Sequence, residues 1–275
     1  MKRILFWALA VVITIVAAVY QKMSGPTYPK KVEVELNNKT YNFKFIRSFG
    51  GEEDAVLEFP VKDEKVTAKL FYKNYPQEEG EQWEKTNFFN TNEGIAATMP
   101  NQPPAGKLMY YVELETENGT QVFFKDNPLV IRFKGAVPLW VLIPHIFFMF
   151  FGMLIANAAG AFAVANMDIY KKLTTLALIV LGIGGMILGP IVQKFAFLEY
   201  WAGVPFGWDL TDNKLLIAFV VWVVAFLMNR KKDNRYVVII AAIVTLIIFS
   251  IPHSMHGSEL DRASGKITQG IIYLF

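Results

Sequence analysis

Apolar residues gather into five long runs, and between the first and second the pattern changes to short alternating stretches. The runs are Ile4 to Tyr20, Val137 to about Ala159, Leu173 to Val192, Leu215 to Met228 (extendable back to Trp208) and Tyr236 to Ile251. A helix needs about 20 residues to cross the hydrocarbon core of a bilayer. Each run reads as a membrane span, the last two only when their flanks are counted. Lys2 and Arg3 precede the first run, and Ala17 and Ala18 lie in it, as in a signal peptide. No small-x-small cleavage site follows, so an uncleaved signal anchor is expected.

The stretch from Pro26 to Lys134 alternates with period two. Val32-Glu33-Val34-Glu35-Leu36 and Tyr41-Asn42-Phe43-Lys44-Phe45 flank an Asn37-Asn38-Lys39 turn. Further strands are expected over Ala55–Phe59, Val66–Tyr72, Trp83–Phe89, Leu108–Leu114, Val122–Phe124 and Leu129–Phe133. Short runs at this spacing, with turn residues between them, predict a β-sandwich. The glycosylation-type triplets Asn38-Lys39-Thr40 and Asn118-Gly119-Thr120 fall where hairpins turn, and read as turn chemistry.

Composition agrees with a membrane protein. Of 275 residues, 53% are hydrophobic and 19% charged, against about 25% charged in soluble domains. Residues 26–134 hold 14 basic and 17 acidic residues. Among the remaining charges, the N-terminus and the loops around Lys171-Lys172 and Arg230–Arg235 carry eight basic and two acidic side chains; the opposite side balances five against five. Cytoplasmic loops favour Lys and Arg. The N-terminus is therefore expected inside, and the sandwich and C-terminus outside, the cytoplasm. The small, dispersed net charge of +3 gives no footprint for nucleic acid. The absence of cysteine excludes disulfides, thiolate metal sites and a cysteine nucleophile.

The segment Met99-Pro100-Asn101-Gln102-Pro103-Pro104-Ala105-Gly106-Lys107-Leu108-Met109-Tyr110-Tyr111-Val112-Glu113-Leu114 resembles the approach to a late strand in fibronectin type III and other immunoglobulin-like domains. The resemblance implies that the Tyr110 or Tyr111 hydroxyl ties its strand to the preceding loop. The layout as a whole resembles multi-span bacterial membrane proteins, which implies the inner membrane.

Candidate chemistry collects on the outer side. Ile-Pro-His occurs twice, placing His145 at the start of the second span and His253 at the end of the fifth; His256 follows. Pro144 is expected in the first turn of its helix, where no amide donor is needed. In the loop Glu199–Lys214, Tyr200, Trp201 and Trp208 suit an interfacial belt, and Thr211, Asp212 and Asn213 read as a helix N-cap. The same loop, Trp201…Trp208-Asp209 before an apolar helix, resembles the tryptophan-rich loop of haem-handling proteins of cytochrome c assembly. That resemblance implies a haem b platform of Trp201, Trp208 and Asp209, with His145 and His253 as axial ligands. The tail offers a separate divalent-metal set, His253, His256 and Glu259.

Gly182, Gly185 and Gly189 mark a face for close helix contact, within one chain or between chains. No ionisable residue lies in mid-span, which argues against a proton-coupled transporter, and no P-loop, Gly-x-Ser-x-Gly or His-Glu-x-x-His motif is present. The expectation is a membrane all-α bundle of five transmembrane helices, with an all-β immunoglobulin-like sandwich inserted between helices 1 and 2. Its divisions are an anchor (1–25), sandwich (26–134), four-helix bundle (135–252) and outer tail (253–275). The expected role is non-enzymatic: lipid bilayer as environment, and a protein partner bound through the sandwich or the Gly185/Gly189 face in an accessory or scaffold role. Haem or metal handling is the alternative.

Overall fold

The computed structural model describes residues 2–77, 80–253, 258–262 and 264–268. Among these residues, in chain order, are helix α1 (Lys2–Ser24), eleven strands, six further helical segments and a small hairpin. Contacts divide it into two compact units. One is helical, 1–26, 137–258 and 269–275; the other is β, 27–136 and 259–268.

In the β unit, β1 (Lys30–Leu36) and β2 (Lys39–Phe45) pair antiparallel around Asn37 and Asn38. Both asparagines have positive φ, 49° and 60°, the geometry a two-residue hairpin needs and asparagine tolerates. There follow β3 (Ser48–Gly50), β4 (Ala55–Phe59), β5 (Thr67–Asn74), β6 (Glu84–Asn87), β7 (Phe89–Asn90), β8 (Ile95–Met99), β9 (Lys107–Thr116), β10 (Gly119–Phe123) and β11 (Leu129–Lys134). One sheet runs β3-β11-β9-β5-β6, with β10 also on β9; another runs β4-β8-β7. All pairings are antiparallel except β3 with β11.

Alternation decides what is buried. On β4, Ala55, Leu57 and Phe59 face the core while Val56 and Glu58 are exposed. Phe43 stacks on Phe59 with centroids 4.1 Å apart, and Phe45 meets Phe59 edge-on at 5.1 Å. Each fully buried phenylalanine contributes on the order of 2–3 kcal/mol. Tyr110, fully buried, donates its hydroxyl to the Ile46 carbonyl at 2.7 Å. It thus ties β9 to the segment after β2, not to the loop immediately before it. Strand β8, Ile-Ala-Ala-Thr-Met, carries no alternation because both of its faces are covered.

The hairpin β12 (Glu259–Asp261) and β13 (Lys266–Thr268) belongs to this unit. The sequence alone predicts a separate tail from residue 253, whereas residues 259–268 pack with the β strands. The Glu259 carboxylate pairs with the Lys107 ammonium, and Arg262 donates to the Lys107 carbonyl at 2.9 Å.

The helical unit contains α1, α2 (Leu139–Val164), α3 (Ile169–Leu181), a π-helical segment Gly182–Leu188, α4 (Gly189–Phe197), α5 (Leu210–Lys231) and α6 (Arg235–Ser250). Among the described residues four stretches are long and apolar enough to cross a membrane: 2–24, 139–164, 169–197 and 210–231. The expected fifth, α6, has 16 residues, about 24 Å of helix against a hydrocarbon core of about 30 Å.

Small residues bring the helices together. A Cβ on Gly160 of α2 would lie 2.5 Å from the Ala242 side chain of α6. Two polar pairs cross between helices: Asn157 donates to Thr14 at 2.9 Å, and the Trp222 indole donates to Thr245 at 2.8 Å. Such bonds add to packing where water is scarce. Pro144 is not in a first turn: α2 starts at Leu139 behind Pro138, and Pro144 lies inside it. Pro190 sits in the first turn of α4. The π-wide segment before it relieves the clash a proline ring makes with the carbonyl four residues earlier.

Candidate functional site

The loop 199–214 folds around the start of α5. Asp209, not Thr211 or Asn213, is the N-cap; its carboxylate accepts the amides of Thr211 (2.8 Å) and Asp212 (3.2 Å). This satisfies two of the four amides a helix start leaves open. Asp212 and Asn213 turn back onto the loop. Asp212, buried, accepts the Ala202 amide at 2.6 Å and a bond from Gln193, while Asn213 accepts the Val204 amide at 2.8 Å. The approach requires glycine at 203, where a Cβ would lie 2.7 Å from that of Asp212.

The proposed haem platform is largely spent on this loop. The Trp201 indole donates to the Val204 carbonyl at 3.1 Å, Asp209 caps the helix, and Trp208 is 70% exposed.

The two histidines behave differently. His145 Nδ1 lies 2.9 Å from the Gly184 carbonyl oxygen, in the π-helical segment. Donation there leaves Nε2 of the neutral ring as an acceptor. Lys214, 5% exposed, donates to the carbonyls of Ile251 (2.9 Å) and Pro252 (3.3 Å) just past α6. A cation at the C-terminal end of a helix satisfies open carbonyls and opposes the helix dipole. His253 follows directly. Its side chain reaches the surface, yet the dense protein around it, with Lys214 and His145 nearby, pushes its pKa down to about 4. Its imidazole is therefore neutral at pH 7.

His145, Lys214 and His253 are thus gathered at one end of the bundle, and His145 Nε2 with His253 are the groups there suited to a metal. The tail set falls partly outside the described residues. Glu259 is engaged by Lys107, His256 lies outside the described residues, and no three His, Asp or Glu side chains converge among those described. The glycine face is occupied within the chain: Gly185 abuts Leu215 of α5, and a Cβ on Gly189 would lie 3.7 Å from the same leucine.

A second candidate lies on the outward face of the larger β sheet. Phe71 of β5 stacks on Tyr111 of β9 at 4.6 Å with rings parallel within 1°, and Trp83 meets Tyr111 edge-on at 4.8 Å. Lys73 stands 4.6 Å over Trp83, and Lys125 stands 5.5 Å over Tyr111. Lys69 pairs with Glu115 at 2.6 Å and Lys125 with Glu113 at 3.2 Å. Lys85, paired in register with Phe71, is exposed. Tyr111 is buried beneath half-buried Phe71 and Trp83. The face therefore presents the outer edges of those two rings, with Lys73 and Lys85 at the rim and Lys69 and Lys125 paired with glutamates, the mixed composition of an interface anchor.

Sequence reasoning missed this face, although Lys69-Leu70-Phe71-Tyr72-Lys73 and Met109–Glu113 carry its alternation. It also missed Lys214 as a buried group. No known protein family, curated protein or solved structure matches the chain.

Proposed function

We propose that this chain is a multi-pass protein of a bacterial inner membrane whose extracytoplasmic β unit binds and positions a protein partner. The N-terminus and the loops at 166–172 and 230–235 lie in the cytoplasm. The supporting observations are the basic residues of those loops and the Lys171–Asp233 pair at 2.5 Å that brings them to one end of the bundle.

The β unit is immunoglobulin-like in this reading. Its sheet orders, β4-β8-β7 and β11-β9-β5-β6, with β3 parallel to the last strand, support that assignment. So does Tyr110 near the start of the penultimate long strand. Such folds name no reaction, so the site carries the argument. The single observation behind partner binding is the Phe71–Tyr111–Trp83 cluster on a sheet face ringed by Lys69, Lys73, Lys85 and Lys125. It suits a partner presenting an apolar side chain flanked by carboxylates.

A photo-crosslinking residue at position 85 in intact cells should yield a discrete adduct that is lost in Trp83→Ala. The same residue at exposed position 33, on β1, should yield none. Equal labelling from both positions, or an adduct indifferent to Trp83, defeats the reading.

Haem or metal handling is the second reading, favoured by the fixed orientation of His145 and the neutral His253 beside it. A Soret band that appears on haem addition and is lost in either histidine-to-alanine variant would establish it.

A further inference from the structure

We propose that a cavity at the α2–α3 and α5–α6 connections holds one phospholipid with a primary-amine headgroup, of the phosphoethanolamine class. The inference rests on the reading of the helices as membrane spans, and on neither their sidedness nor the partner of the β unit. The cavity measures about 240 Å³, space for about eight waters. Asn166, Asp168 and Tyr170 line it from one connection, and Asp233, Arg235 and Tyr236 from the other. Both connections are held in place. The Asn229 side chain accepts the Asn234 amide at 3.0 Å and donates to the Asn234 carbonyl at 3.1 Å, while the Lys171 ammonium lies 2.5 Å from Asp233 and 3.8 Å from Asp168.

The cavity carries charges of both signs. The Arg235 guanidinium stands 5.1 Å over the Tyr236 ring and donates to that hydroxyl at 3.3 Å. Among the described residues no carboxylate lies within 4 Å of it. Its other N–H groups are open to an anion, and a guanidinium matches phosphate oxygens two at a time. The Asp168 side chain is 94% exposed and that of Asp233 64%, so each carboxylate keeps acceptor capacity beyond Lys171. A phosphate on Arg235 together with an ammonium on the carboxylates satisfies both signs. A phosphate with an uncharged substituent leaves the carboxylates facing an anion. A trimethylated nitrogen brings charge but no N–H donor. Lys172, Arg230, Lys231 and Lys232 near the cavity draw any anionic lipid to this end of the bundle; the two carboxylates supply the selection.

The apolar surface beside the cavity makes the ligand a lipid and not a free amine phosphate. From Tyr236 on the rim, Ile240, Ile243 and Ile247 follow at helical spacing along α6, and all four side chains are more than half exposed. At 1.5 Å per residue the stretch covers about 16 Å, the depth of one leaflet of a hydrocarbon core about 30 Å thick. With its headgroup in the cavity, a phospholipid lays an acyl chain along this face.

The test is native mass spectrometry of the full chain, released from nanodiscs that hold phosphatidylethanolamine, phosphatidylglycerol and phosphatidylcholine in equal parts with identical acyl chains. One retained lipid is expected, with phosphatidylethanolamine favoured about two- to fivefold over each of the others, the scale of one exposed ion pair. Arg235→Gln should lower retention of all three lipids. Asp168→Asn, at an almost wholly exposed side chain, should reduce the preference with the thermal midpoint unchanged, and Asp168→Asn with Asp233→Asn should erase it. Ile243→Ser should shorten retention of the lipid, and soluble O-phosphoethanolamine should displace it only weakly. Equal retention of the three lipids, a preference untouched by Asp168→Asn and by the double variant, or full displacement by O-phosphoethanolamine overturns the proposal. A chain that carbonate washing strips from membranes refutes the spans themselves, a separate result from an embedded chain that shows no lipid preference.

Discussion

Replacing Tyr110 with phenylalanine removes one oxygen and leaves the ring. Tyr110 is fully buried and gives its hydroxyl to the Ile46 carbonyl at 2.7 Å. A net hydrogen bond is worth about 1 kcal/mol, and an orphaned carbonyl adds a desolvation cost, so the expected loss is about 1–2 kcal/mol. For a unit of this size that lowers the midpoint of thermal unfolding by roughly 4–8 °C. Circular dichroism in the β region, on the full chain in mild detergent, reads this while the helices remain folded.

The alkaline limb gives a second readout. Burial holds the Tyr110 phenol well above the usual tyrosine value, so the unfolded chain ionises first as pH rises. The stability this contributes is whole below about pH 10, the unfolded value, and falls above it by up to about 1.4 kcal/mol per pH unit. Tyr110→Phe should therefore be less stable at pH 7 yet show a shallower decline above pH 10. A variant that melts with the wild type, and declines as steeply in alkali, would falsify the role given to this tie.

Further outcomes follow from other contacts. Thr14→Val with Asn157→Leu, taken as a double-mutant cycle by unfolding in detergent, should give a coupling of about 0.6 kcal/mol and no more than about 1.7; zero coupling removes the bond between α1 and α2. Gly160→Leu should prevent compact packing of α2 on α6, read as loss of a monodisperse peak, because a Cβ already meets Ala242 at 2.5 Å. The His253 imidazole should titrate near pH 4 by NMR, and Lys214→Met should raise that midpoint by removing a nearby cation. An unchanged midpoint separates the two groups. Asp212→Ala should expose the 198–206 loop to protease, since the Ala202 amide and Gln193 lose their acceptor.

The apolar stretches were legible because hydropathy over about 20 residues is a property of composition. Their ends were less so. The third span was read from Leu173 to Val192 but runs from Ile169 to Phe197, since amphipathic flanks at the interface dilute the signal. The π-helical segment was invisible, because its residues carry the same apolar signal as the α-helix around them and the His145 contact at Gly184 exists only after folding. Asp209 and Thr211 are both capping types; the choice between them is made by a loop that ties Asp212 and Asn213 back to Ala202 and Val204. Lys214 is only the end of the loop Glu199–Lys214 in the sequence, and in the structure it is a buried clamp on carbonyls past α6. In the β unit, alternation located β4 to the residue and missed β8, where two covered faces erase the period. The aromatic face escaped notice because Phe71, Trp83 and Tyr111 come from three separate strand regions, and stacking appears only in register.

The most direct test of an outward-facing β unit uses the chain's lack of cysteine. A single cysteine at Lys85 should react with a membrane-impermeant maleimide in intact spheroplasts, and one at Lys232 only after permeabilisation. Labelling of position 232 in intact spheroplasts, with position 85 protected until lysis, would place the aromatic face in the cytoplasm and contradict the account.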